Sequence, residues 1–160
     1  MTGVLDDRRV GLALASRTHV GGRLVARTPY GVVTRVDGAP RLADSVGGEY
    51  TDGWSGGQTT YTRFTGPPKK SALRVTISRA AWTGRDRPGK VAIDVAPLGG
   101  QPFAERLTEI HAGQTTSLDV PVPPPPFTAI VRIYPTFSPA EFGGTDTRQL
   151  GAVLGFHYAG

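Results

Sequence analysis

Few residues in this sequence could carry a reaction. Three histidines, His19, His111 and His157, lie far apart, and none stands in a metal-ligand spacing such as H-E-x-x-H. Gly53-Trp54-Ser55-Gly56 lacks the spacing of a G-x-S-x-G nucleophile turn. The glycine pairs Gly47-Gly48 and Gly143-Gly144 lack the lysine and the strand-to-helix context of a phosphate cradle, and read as turns. Two carboxylate pairs, Glu49 with Asp52 and Glu105 with Glu109, are close enough in sequence to be weighed as general acid and base. The acids sit mostly beside arginines or glycines, so the sequence reads as non-catalytic.

Binding chemistry is better represented. The stretch from Gly48 to Phe64 packs Tyr50, Trp54, Tyr61 and Phe64 around turns at Asp52-Gly53 and Gly56-Gly57. Trp54 and Trp82 both lie in glycine-rich polar loops. A loop tryptophan can stack on the apolar face of a sugar ring while nearby polar side chains bond the hydroxyls. Tyr50, Asp52, Trp54, Trp82 and Arg85 are therefore the candidate carbohydrate-binding set. The competing reading is that both tryptophans fill the ends of a core, since tryptophan is usually largely buried. Tyr61 and Phe64 lean further toward the core. The loop acids Asp37, Asp44, Glu49 and Asp52 could also join backbone carbonyls in a structural calcium cage, although no EF-hand spacing is present. No other cofactor or metal is expected.

The elements that must hold these residues are short strands. Among 160 residues there are 22 glycines and 14 prolines, which break helix interiors and favour turns. Val4 to Ala15 could be helix or strand, and the alternation of Val10, Leu12 and Leu14 with small residues favours strand; Leu24 opens a second strand and Val32 to Val36 a third, followed by a hairpin turn at Asp37-Gly38. Pro40 to Ser45 reads as loop. Leu73, Val75 and Ile77 alternate with Arg74, Thr76 and Ser78 in the clearest half-buried strand, and Val91, Ile93 and Val95 repeat the pattern. Phe103 to Ile110 is open between strand and helical turn. Ser117 to Val120 is a strand stopped at Pro121, and the run Pro123 to Pro126 is a rigid polyproline bridge between sheets. Phe127 to Tyr134 follows as an apolar strand, Pro135 to Thr145 as irregular loop, and Leu150 to Tyr158 as the last strand. About nine such strands predict one all-β domain over residues 1–160: a two-sheet antiparallel sandwich, jelly roll ahead of immunoglobulin-like. A short echo between Asp7–Leu14 and Asp146–Leu154 leaves residues 1–20 open to being the end of a preceding module.

Charge and cysteine content narrow the setting. Eighteen Lys and Arg against thirteen Asp and Glu give a net charge of +5, and arginine supplies most of it. The basic residues are scattered beside acids, as in Arg85-Asp86-Arg87, whereas a nucleic-acid binder clusters them on one element. Attraction to an anionic surface fits better than nucleic acid. The absence of cysteine excludes disulfides and thiolate chemistry and leaves the redox compartment open. No signal peptide or transmembrane stretch is visible, the apolar run Val10–Ala15 being far too short.

Three segments carry a resemblance: Tyr50-Thr51-Asp52-Gly53-Trp54 with Tyr61-Thr62-Arg63-Phe64, the strand and loop Leu73 to Gly89, and Phe137 to Gly151 with its Asp146-Thr147-Arg148-Gln149-Leu150-Gly151 ending. Together they resemble the C-terminal extracytoplasmic β-sandwich regions of actinobacterial multi-spanning membrane glycosyltransferases, of the arabinosyl- and mannosyltransferase-like kind. The resemblance covers roughly the last two-thirds of the chain. It implies an accessory module on the extracytoplasmic face of the membrane, whose partners are a cell-wall polysaccharide or glycan acceptor and the membrane part of its parent enzyme. Catalysis would then lie in that membrane part. Asp146 and Arg148 are expected to pair and to pin the loop onto the final strand. The alternative expectation is a structural or assembly jelly roll of phage or capsid type, with no ligand.

Overall fold

The computed structural model describes residues 3–7, 10–15, 18–20, 22–28, 31–36, 42–67, 71–81 and 88–159. The described chain is almost entirely β. In order its strands are β1 (Gly3–Asp7), β2 (Val10–Ala15), β3 (Thr18–Val20), β4 (Arg23–Thr28), β5 (Gly31–Val36), β6 (Leu42–Glu49) and β7 (Ser55–Arg63). They continue with β8 (Ser71–Ser78), β9 (Gly89–Pro97), β10 (Ala104–Ile110), β11 (Thr115–Val122), β12 (Phe127–Tyr134) and β13 (Val153–Ala159).

Two antiparallel sheets make the sandwich. One has six strands in the order β10-β9-β12-β7-β6-β3, the other three in the order β11-β8-β13. Their pairing is nested: β9 with β10, β8 with β11, and β7 with β12. Rolling up one long hairpin produces this order, because successive nested pairs then fall on alternate sheets. The domain is a jelly roll with one departure. Among the described residues the outermost pair, β6 with β13, is not formed: β6 pairs with β7, and an isolated bridge from Trp54 to Val153 stands where that pairing would begin.

Alternation builds the core. Leu73, Val75 and Ile77 of β8 face Val91, Ile93 and Val95 of β9 and Phe127, Ala129, Val131 and Ile133 of β12, all buried. Each fully buried branched side chain contributes about 1.5–3 kcal/mol, so the inward rows dominate the stability of the sandwich. Two charged side chains are buried among the described residues, Asp44 and Arg79, the latter with its guanidinium 5.7 Å from the centre of the Phe137 ring. Asp44 on β6 is buried, accepts a hydrogen bond from Tyr61 Oη at 3.2 Å and pairs with Arg63 at 2.9 Å. Burial, and secondarily the Asp44 charge, hold the Tyr61 hydroxyl well above the usual phenol range.

Several sequence expectations change. Val4 to Ala15 contains not one strand but two, β1 and β2, paired with each other. Residues 42–45 are strand rather than loop, paired with β7 at Asp44 and Ser45, and Tyr61 and Arg63 take up the Asp44 charge there. Phe103 to Ile110 resolves as strand β10. Pro121 does not stop β11, which runs on to Val122; β11 is an edge strand, the place in a sheet that tolerates a residue with no N–H. The loop after β12 holds a 3₁₀ turn, Pro139–Phe142, closed by Gly143 at φ 88°. Of the sequence echo, residues 10–14 lie in β2, and Val153 and Leu154 open β13. Strands β1, β2, β5 and β4 form a separate four-stranded antiparallel sheet, from which β3 departs to pair with β6. The hairpin expected at Asp37-Gly38 lies outside the described residues.

Candidate functional site

The turn between β6 and β7 is built by its own backbone. Tyr50 N–H donates to Trp54 O at 2.8 Å, Gly53 N–H donates to Tyr50 O at 3.0 Å, and Gly53 sits at φ 94°. That left-handed backbone is why glycine follows Asp52. Asp52 Oδ1 accepts from the Trp54 amide at 3.4 Å.

Onto this turn the segment before β13 places Arg148. Its guanidinium donates to Asp52 Oδ2 at 2.6 Å and to Asp146 Oδ2 at 2.7 Å, and lies 4.7 Å above the centre of the Tyr50 ring. The Arg148 amide also donates to Asp146 Oδ1 at 2.9 Å. Tyr50 Oη donates to Gln149 O at 3.3 Å. The Arg148 hydrogen bonds hold the carboxyls of Asp52 and Asp146 below the usual range, and the two carboxylates push the Arg148 pKa up. Trp54 is half-buried, edge-on to Phe137 with ring centroids 5.7 Å apart.

Three of the predicted sugar-binding residues, Tyr50, Asp52 and Trp54, therefore converge with the two motif residues Asp146 and Arg148. They form a clasp in which the charged groups satisfy one another. Trp82 and Arg85 lie outside the described residues, as does Asp37.

The acids weighed for a calcium cage form no such cluster among the described residues. Asp44 faces Tyr61 and Arg63 and Asp52 faces Arg148; among the described residues no three His, Cys, Asp or Glu come together as a metal site. Glu105 and Glu109 share one face of β10 but stand four residues apart, about 13 Å along a strand. Glycoside hydrolysis wants its two carboxyls about 5–10 Å apart.

A second feature was not found from the sequence. The outward face of the six-stranded sheet carries two adjoining grooves of about 530 and 590 Å³, with Arg132 lining both. Ala92 and Leu107 line the first on an apolar floor, with Tyr134 beside them. Leu107 is 72% and Tyr134 76% exposed. Asp94, Ile130 and Phe103 line the second. Arg132 makes a close ion pair with Asp94 and donates to Gln58 Oε1 at 3.3 Å. A signal for this face exists in the sequence: on β12, where outward positions usually carry small polar residues, Ile130, Arg132 and Tyr134 alternate with the buried Ala129, Val131 and Ile133.

No protein-family model matches the chain, and neither a curated protein nor a solved structure matches it.

Proposed function

We propose that the chain is a non-catalytic, carbohydrate-interacting accessory module of a membrane-associated cell-envelope glycosyltransferase, working on the extracytoplasmic face. The observation that carries the carbohydrate part is the grooved outer face, where an exposed tyrosine ring and apolar floor adjoin the Arg132–Asp94–Gln58 polar array. That combination suits sugars, which present C–H faces to aromatics and hydroxyls to planar polar groups. The parent enzyme and location rest on the resemblance of Tyr50–Trp54, Leu73–Gly89 and Phe137–Gly151. The role assigned to Tyr50, Asp52 and Trp54 changes under this reading: they lock the turn, and the sheet face meets the glycan.

Calorimetric titration of the protein with arabinan, mannan and galactan tests the reading. Saturable heat with at least one of them is expected. No binding to any would leave the sandwich without a glycan role.

A second reading, an assembly jelly roll with no ligand, draws on the unformed β6–β13 pairing. Among the described residues the outer edge of β13 is bridged only at Val153, by Trp54. An open edge can pair with another chain. Closed oligomers in solution would favour that reading.

A further inference from the structure

We infer that the glycan is a neutral linear oligosaccharide bound by its interior, lying along β9 and β12 over about four sugar units; this rests on the carbohydrate reading above. Length comes first. The two grooves meet at Arg132 and together run from Lys90 and Tyr134 at one end to Ala96 and Phe103 at the other. At about 3.4 Å per residue, the six steps from Lys90 to Ala96 span about 20 Å, the length of about four linked sugar rings.

The ends of that run are marked by rings. Tyr134 is paired in register with Lys90, and the Phe103 amide donates to Val95 O at 2.8 Å, next to Ala96. Phe103 is 47% exposed, so both rings offer surface to a terminal sugar of the bound segment. The polar array sits between them. Arg132 holds Asp94 and Gln58, so the middle of the groove presents both donors and acceptors to hydroxyls on adjacent sugars.

Charge decides the class. The groove residues include two cations, Lys90 and Arg132, and three carboxylates, Asp94, Glu105 and Glu109, a local balance of −1 on a chain of +5. Arg132 is already neutralised by Asp94. A polyanion therefore finds no free positive row here, whereas an uncharged polyol pays no such penalty.

The experiment is a titration series from disaccharide to octasaccharide, prepared from mannan, arabinan and galactan, with dextran sulfate as the anionic comparison. Affinity is expected to climb to about the tetrasaccharide and then level off. Tyr134→Ala and Phe103→Ala should each weaken tetrasaccharide binding about tenfold, the loss of one ring contact. Tyr134→Phe should retain most of it, and thermal melts confirm that each variant is folded. Affinity already maximal at the disaccharide, or stronger for dextran sulfate, would overturn the inference. So would glycan binding indifferent to Tyr134, Phe103 and Arg132→Ala together, which would leave the carbohydrate function standing at another site. No binding to any oligomer would overturn both.

Discussion

Arg148 shows how a residue that looks available for ligand can be committed to the fold. Its donors are directed at Asp52, ninety-six positions earlier, and at Asp146, and its plane covers Tyr50. Both carboxyls titrate below the ordinary range when folded. Between the folded and unfolded values the unfolded chain binds more protons, so this contribution to stability is present at neutral pH and lost as pH falls below about 4. Arg148→Met should lower the melting temperature at pH 7, and the gap from the unaltered protein should close in melts at successively lower pH. Because the clasp is partly exposed to solvent, high salt should narrow the gap as well. A gap independent of pH would mean that Arg148 acts through packing on Tyr50 rather than through charge. The pairing of Asp146 with Arg148 could be anticipated two residues apart in sequence. Their meeting with Asp52 could not, since it depends on how the roll brings the approach to β13 beside the β6–β7 turn.

At the scale of elements, the approach to β13 is set by close backbone contact. Gly151 N–H donates to Ser55 O at 2.9 Å, Ser55 N–H donates to Ala152 O at 2.8 Å, and the Ala152 amide donates to Ser55 Oγ at 3.0 Å. A Cβ on Gly151 would stand 2.5 Å from Gly56 O and 2.9 Å from Ser55 Oγ. Neither β7 nor the incoming strand can yield without losing these bonds. Gly151→Ala should destabilise the sandwich by about 1–3 kcal/mol, read from chemical denaturation. A cost under a few tenths of that would show that the contact relaxes freely. The strands themselves were legible wherever one face is buried, as in Leu73–Ile77 and Val91–Val95, because period-two alternation leaves one solution. Legibility failed where a polar residue is satisfied inside, as at Asp44, and where an edge strand accepts Pro121. The grooved face was legible only in outline. Ile130, Arg132 and Tyr134 announce an unusual exposed row, but only the register of β9, β10, β12 and β7 sets Asp94, Leu107 and Gln58 beside it.

For the whole molecule, the register separates two parts. Strands β1, β2, β4 and β5 pair among themselves, and the described hydrophobic core begins at Val46. Among the described residues β3 links the N-terminal part to the sandwich sheet, its three residues pairing with β6 at Ser45, Asp44 and Leu42. A chain beginning at Leu42 should therefore still fold, because the buried rows of the sandwich core remain. Its unfolding should stay cooperative. It should also behave differently in solution. Without β3, β6 becomes a bare edge with free N–H and C=O groups, the arrangement that invites pairing with another chain. Size-exclusion chromatography of residues 42–160 should show concentration-dependent self-association absent from the full chain, while the glycan binding proposed above should be unchanged because β9, β10 and β12 lie away from β6 and β3 in the sheet order. An unfolded fragment would instead make the N-terminal sheet part of one cooperative unit with the sandwich. A folded fragment that stays monomeric would mean that β6 is protected by its own residues, and that β3 serves to fix where the N-terminal sheet attaches.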